Sequence, residues 1–347
     1  MAYTTVDDPT LYFQVKLYTG NGTDNHAITL DGETAMQPDF VWTKERSATE
    51  GHYLFDAARG ATSVVMTSST NVVQTIAETL KSFDSNGFTL GTSAEVNHDG
   101  VTNVAYCWKA NGSGSSNTDG NTNTTKTSAN TTSGFSIITY DGDGAVATLG
   151  HGIGIKPAWI IQKNLDDSEN WQVQHGAKGA THYGTLNTTN TIDDLASRWN
   201  DTEPTTSLIT IGTDSSVSQS GESMLMYAWA PVQGFSKFGS FIGNGNANGP
   251  FVHLGFKPAM LIIKDTGASV SWGLYDIKRN GFNNENKTLY VNSTSGEDAG
   301  GYVDLMSNGF KIISSSAWQN RSGGTFIYMA FADSPFVNSN GVPNNAR

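Results

Sequence analysis

The chain has 347 residues, with 20 Lys+Arg against 32 Asp+Glu and a formal net charge of -12. That balance argues against nucleic acid as a partner, because affinity for phosphates rests on Lys and Arg, and the single cysteine, Cys107, rules out an internal disulfide or a cysteine metal site. Charged residues at 15% and 38 glycines suit short strands joined by tight turns.

In chain order, Phe13-Gln-Val-Lys-Leu-Tyr18 reads as a strand running into the turn Thr19-Gly-Asn-Gly22. The strand "PDFVWTK" (38–44) follows, and then "GHYLFDAARG" with Tyr53. The segment "VVQTIAETLKSF" (72–83) has some 3.6-residue spacing and predicts a short helix or turn. "GFTLGT" (87–92) and a closing apolar strand ending at Trp108 complete the first pass.

The same order recurs twice. Phe135 to Tyr140 leads into Asp141-Gly-Asp-Gly144, and Phe235 to Phe241 leads into Ile242-Gly-Asn-Gly245. Pro157 to Lys163 and Pro258 to Lys264 repeat the frame of Pro38 to Lys44, six residues apart each time. Trp171 and Trp272 align with Tyr53, "LITIGT" (208–213) and "GFKIIS" (309–314) with "GFTLGT", and Trp229 and Phe331 with Trp108. "IDDLASRW" (192–199) is the second helix-or-turn candidate. Self-similarity at such a period marks a repeat architecture. Within the proline-to-lysine strand, Trp159 and Ile161 point to one face and Ala158 and Ile160 to the other, so both faces should be covered.

The fold expected is all-β: three tandem antiparallel β-sandwich repeats of jelly-roll or concanavalin-like type. The boundaries are an N-terminal arm at 1–11, repeats at 12–109, 135–231 and 232–333, and a tail at 334–347. Residues 110–134 contain no large apolar side chain and read as a polar linker or as an arm for a neighbouring chain. No apolar run follows a basic cluster in residues 1–30, and nothing approaches the ~18 apolar residues that cross a membrane. Neither an export leader nor membrane insertion is expected.

The stretches "GFSIITYDGDGAVATLGHGIGIKPAWIIQK" (134–163), "WAPVQGFSKFGSFIGNGNANGPFVHLGFKPAMLIIK" (229–264) and "MAFADSPFVNSNGVPNNAR" (329–347) resemble repeats in structural proteins of tailed bacteriophages, marine ones in particular. The resemblance covers residues 12–347. It implies a non-enzymatic virion component, assembled in the host cytoplasm and tail- or fibre-associated, with a capsid decoration or head-fibre protein as the runner-up. Its partners would be other virion proteins and, because virions are symmetric, further copies of itself. A glycan-binding adhesin that reads host surface sugar and a polysaccharide hydrolase are the readings from other classes.

Individual residues carry little chemistry. Asp141 and Asp143 in "YDGDG" offer alternating oxygens, as a calcium loop does, but the counterparts "YTGNG" and "FIGNG" lack paired carboxylates, so a hairpin turn is expected. The seven histidines show no metal-binding spacing. The acidic residues Glu45, Asp56, Asp166, Asp167, Glu169 and Asp276 do not recur as a glycosidase-type pair in all three copies. No cofactor motif is present. Two tryptophans, Trp199 and Trp318, fall outside the repeated pattern and are the candidate ligand or interface residues. Trp318 is placed against Val96 and Val217 of the other copies.

Overall fold

The computed structural model describes residues 3–280 and 285–344. The fold is all-β, built from antiparallel sheets, with helices of a single turn. Three large sheets follow one another along the chain. In the first, the strand order is Phe13–Thr19, Thr102–Trp108, Phe40–Glu45, His52–Asp56, Gly60–Met66, Gln74–Thr75. In the second, after the edge strand Lys126–Asn130, it is Phe135–Asp141, Ser223–Trp229, Trp159–Asn164, Gln172–His175, His182–Thr185, Asp193–Asp194. The third begins Ser236–Ile242, Thr325–Pro335, Phe256–Asp265, Gly273–Asp276, Glu285–Tyr290. In each sheet the opening strand pairs with the closing strand, which pairs in turn with the proline-to-lysine strand.

That third strand explains the layering. Phe40, Trp42, Trp159 and Ile161 enter one continuous core common to all three sheets. Val41 and Ile160, on the opposite face, enter separate cores beneath smaller sheets. The small sheets are His26–Thr29, Gly87–Leu90, Leu80–Asp84 over the first large sheet and Ala147–Gly150, Leu208–Ile211 over the second. In the third, Asp298–Met306, Gly309–Ile312 and Phe251–His253 continue from the large sheet itself. At the centre of the shared core Trp108 meets Trp229 at 6.0 Å and Phe331 at 5.5 Å between ring centroids.

The recurring turns serve the fold. Gly22, Gly144 and Gly245 have φ of 63°, 76° and 67°, left-handed backbone that a side chain would strain. Asp143 Oδ1 accepts from Ala145 N at 2.9 Å, a turn contact. Lys44, Lys163 and Lys264 are each the penultimate residue of their strand, as the common spacing predicts.

Several expectations change. Residues 110–134 are an integral part of the middle sheet: Lys126–Asn130 pairs along Phe135–Asp141. Ser128 Oγ accepts from Asn111 N at 2.9 Å and donates to Gly112 O at 2.7 Å, and the Thr124 and Thr127 hydroxyls are 2.8 Å apart. Polar side chains hold this segment by closing its backbone hydrogen bonds, which compensates for its missing apolar surface. Residues 72–83 form no helix: Gln74–Thr75 and Leu80–Asp84 find β partners, and the expected turn lies between them, closed by Thr79 N on Ile76 O at 3.2 Å. Residues 192–199 divide between the strand Asp193–Asp194 and one helical turn, Ala196–Trp199. The N-terminal arm is docked, with Val6 buried, Tyr3 Oη donating to Gly255 O at 3.0 Å and Asp7 accepting from Ser339 N in the tail at 2.7 Å.

Strand register also corrects two alignments. Lys44 pairs with His52, while Gln162 pairs with Gln172 and Ile263 with Gly273, which places Lys163 beside Trp171 and Lys264 beside Trp272. His52, not Tyr53, is therefore the counterpart of the two tryptophans. In the single-turn helices Ala94–Asn97, Ser215–Ser218 and Ala317–Asn320, the counterpart of Val96 and Val217 is the buried Gln319, and Trp318 stands with Glu95 and Ser216.

Candidate functional site

The equivalent positions make equivalent contacts in a closed cycle. Trp171 Nε1 donates to Met66 O at 2.8 Å, Trp272 Nε1 to Thr185 O at 3.1 Å, and His52 Nε2 to Tyr290 O at 3.1 Å. Each bond runs from one sheet to the sheet before it, with the first sheet reaching the third. The backbone repeats the cycle the other way: Val73 N bonds Leu165 O at 2.8 Å, Ile192 N bonds Thr266 O at 2.9 Å and Glu297 N bonds Arg46 O at 2.7 Å. The acceptors lie two residues after the three lysines.

A third set lies deeper, and its chemistry differs between seams. Tyr227 Oη donates to Asp56 Oδ2 at 2.7 Å, and Arg59 Nε reaches the same oxygen at 2.6 Å. Tyr106 Oη donates to Asp276 Oδ2 at 2.7 Å, where Arg279 Nε sits at 2.5 Å. The second sheet has His175 at this position, and its Nε2 donates to Tyr328 O at 3.1 Å. Because His175 Nδ1 accepts from Ala177 N, the proton belongs on Nε2. The same logic applies to His52, whose Nδ1 accepts from Trp42 Nε1 at 2.9 Å. Burial holds both imidazoles neutral, lowering His175 to about 4 and His52 well below the ordinary range. Burial likewise raises the tyrosines at the two acidic seams, with the neighbouring aspartates adding to the effect.

The three lysines are buried without a carboxylate on Nζ. Lys44 Nζ donates to Glu45 O and Ala48 O, Lys163 to Asn164 O and Asp167 O, and Lys264 to Ala268 O, Val270 O and, across a seam, Thr189 O. Burial lowers each to about 8. An amine engaged by carbonyls and closed to solvent organises its loop and offers no accessible nucleophile.

Most of the acidic candidates are engaged as well, while buried Glu45 leaves Oε1 without a hydrogen-bond partner among the described residues. Asp56 and Asp276 are committed to the seams, Asp166 Oδ2 accepts from Ser223 N and Asp167 Oδ1 accepts from Ser168 N, both at 2.7 Å. Among the described residues, no cluster of three or more His, Cys, Asp or Glu side chains could hold a metal ion.

The two tryptophan candidates separate. Trp199 is fully enclosed in the core of the middle segment, so it is a packing residue and cannot reach a ligand or another chain. Trp318 is partly exposed and stands edge-on to Tyr290 at 5.3 Å and Tyr302 at 5.0 Å between ring centroids. The three rings line an open cleft of about 360 Å³ beside the seam of the middle and C-terminal sheets. The sequence singled out Trp318, but Tyr290 and Tyr302 escaped notice because a tyrosine in a strand usually reads as ordinary β-sheet packing.

The chain belongs to the family described as a domain of unknown function, DUF7483, whose model matches residues 8–335. No curated protein matches the chain.

Proposed function

We propose that this protein is a non-enzymatic structural component of a tailed-bacteriophage virion, tail- or fibre-associated, built as three tandem β-sandwich repeats closed into a ring. The proposed repeats are residues 12–109, 135–231 and 232–333, with 110–134 assigned to the second as its edge. The observation that carries the structural role is the seam cycle. The recurring polar residues, His52, Trp171, Trp272, Asp56, His175 and Asp276, are spent on holding the units together. Such a body works by presenting surfaces to other virion proteins and to further copies of itself, and loops at the ends of sandwiches are suited to that task. The assignment to a virion rests on the resemblance of residues 134–163, 229–264 and 329–347 to phage structural repeats.

Localisation on purified particles tests this. Gold-labelled antibody against the folded chain should decorate the tail or its fibres. Label on the head surface would move the protein to a capsid decoration or head-fibre role. Particles that retain none of the chain after gradient purification would refute a virion role.

A further inference from the structure

Residues repeated three times at equivalent positions are accounted for by the fold. The group at Tyr290, Tyr302 and Trp318 is not repeated. Strand pairing places Tyr290 with Met66 and Thr185, and the helical turns place Trp318 with Glu95 and Ser216. Two aromatic rings therefore stand where the other copies carry none. From this departure we infer that the cleft is a binding site for a neutral saccharide, a role separate from the virion assignment and independent of it.

The chemistry selects that ligand class. A pyranose ring has an apolar C–H face that packs on an aromatic ring, and a hydroxyl rim that needs partners able to donate and accept. The cleft offers both: three rings, with the hydroxyls of Thr189, Ser269 and Ser316 around them. Among the described residues its lining holds no charged side chain, which disfavours phosphate, sulfate or a sialylated end as the recognised group. A shallow, open cleft that mixes aromatic faces with hydroxyls, at a junction between units, suits the edge or end of a saccharide better than a wholly enclosed ligand.

The cleft is also held open by the fold. Lys264 Nζ donates to Thr189 O at 3.1 Å and to Val270 O at 2.6 Å, and these two residues belong to different segments and both line the cleft. Tyr290 Oη donates to Asp298 Oδ2 at 2.6 Å, which fixes that ring. Little ordering remains to be done when a ligand arrives, and such preorganisation favours affinity.

The test uses the full chain. Of its eight tryptophans, seven are buried and Trp318 is partly exposed, so acrylamide quenching of fluorescence reports on this cleft. The probes are maltoheptaose, a β-glucan hexamer and oligomannose, with a sialylated oligosaccharide and a proline-rich decapeptide as contrasts. At least one neutral oligosaccharide should protect Trp318 from acrylamide. Its affinity by calorimetry should fall tenfold or more in Trp318→Ala and in Ser269→Arg. Ser269 is exposed at the rim, so arginine there fills the cleft without touching the core and tests the site even if Trp318→Ala folds poorly. The inference is overturned if no neutral probe protects Trp318, if only the sialylated or peptide probe binds, or if Ser269→Arg retains wild-type affinity.

Discussion

The seam between the first and second sheets and the seam between the second and third use one geometric slot in two ways. The first fills it with a buried Asp56 carboxylate that gathers Arg59 and Tyr227. The second fills it with the neutral ring of His175, which donates to the Tyr328 carbonyl. The third seam repeats the first, with Asp276, Arg279 and Tyr106. The slot therefore requires a satisfied hydrogen bond between units and tolerates either a charge or none. The difference lies in what remains when the bond is broken: a charged seam is left with a buried guanidinium, a neutral seam with only a carbonyl.

The largest expected effect follows from that difference. Asp276→Ala leaves Arg279, whose side chain is wholly buried, without its hydrogen-bonded carboxylate and with only Glu297 at 3.6 Å, and should cost about 3 kcal/mol by urea unfolding. The double change Asp276→Ala, Arg279→Met should recover much of the loss; no recovery would mean that the pair is not the source. Next comes the neutral seam. The folded chain refuses a proton on His175 until about pH 4, whereas the unfolded chain takes one near 6.5. Stability should therefore fall as pH drops from 6.5 to 4, by up to about 3 kcal/mol from this group. Melting wild type and His175→Gln across that range should give curves that converge towards acid; parallel curves would contradict the assignment. Tyr227→Phe removes a hydrogen bond to the Asp56 carboxylate and should cost about 2 kcal/mol. The smallest effect is expected at the periphery: Trp171→Phe removes one indole N–H from the Met66 carbonyl, about 1 kcal/mol in the same unfolding assay.

Much of this was legible in the sequence. The strands, the glycine turns and the common position of the three lysines follow from alternation and spacing. The seams did not: four of their bonds end on backbone carbonyls of Met66, Thr185, Tyr290 and Tyr328, which have no sequence identity, and the two that join Tyr227 to Asp56 and Tyr106 to Asp276 link residues 171 and 170 positions apart. His52 was hidden beside the more conspicuous Tyr53. Gln319, buried where the other copies carry valine, shifted the expected alignment of Trp318 by one residue because glutamine looks like a surface residue. Residues 110–134 misled for a related reason: their composition lacks apolar burial, yet the hydroxyls of Ser128 and Thr124 tie the backbone down. Of the aromatic cleft, only Trp318 could be picked out in advance.

The closed seam cycle has a consequence for variation. A homotrimer with the same shape would carry every surface substitution three times, so a tryptophan gained at one edge would appear at all three. Covalent linkage of three unequal sheets in one chain removes that constraint. His175 can replace an aspartate at one seam, and Tyr290 and Trp318 can be added to one copy, while the other two keep their own residues. With the three sheets in one polypeptide, one sheet can specialise at its surface while the shared aromatic centre stays the same.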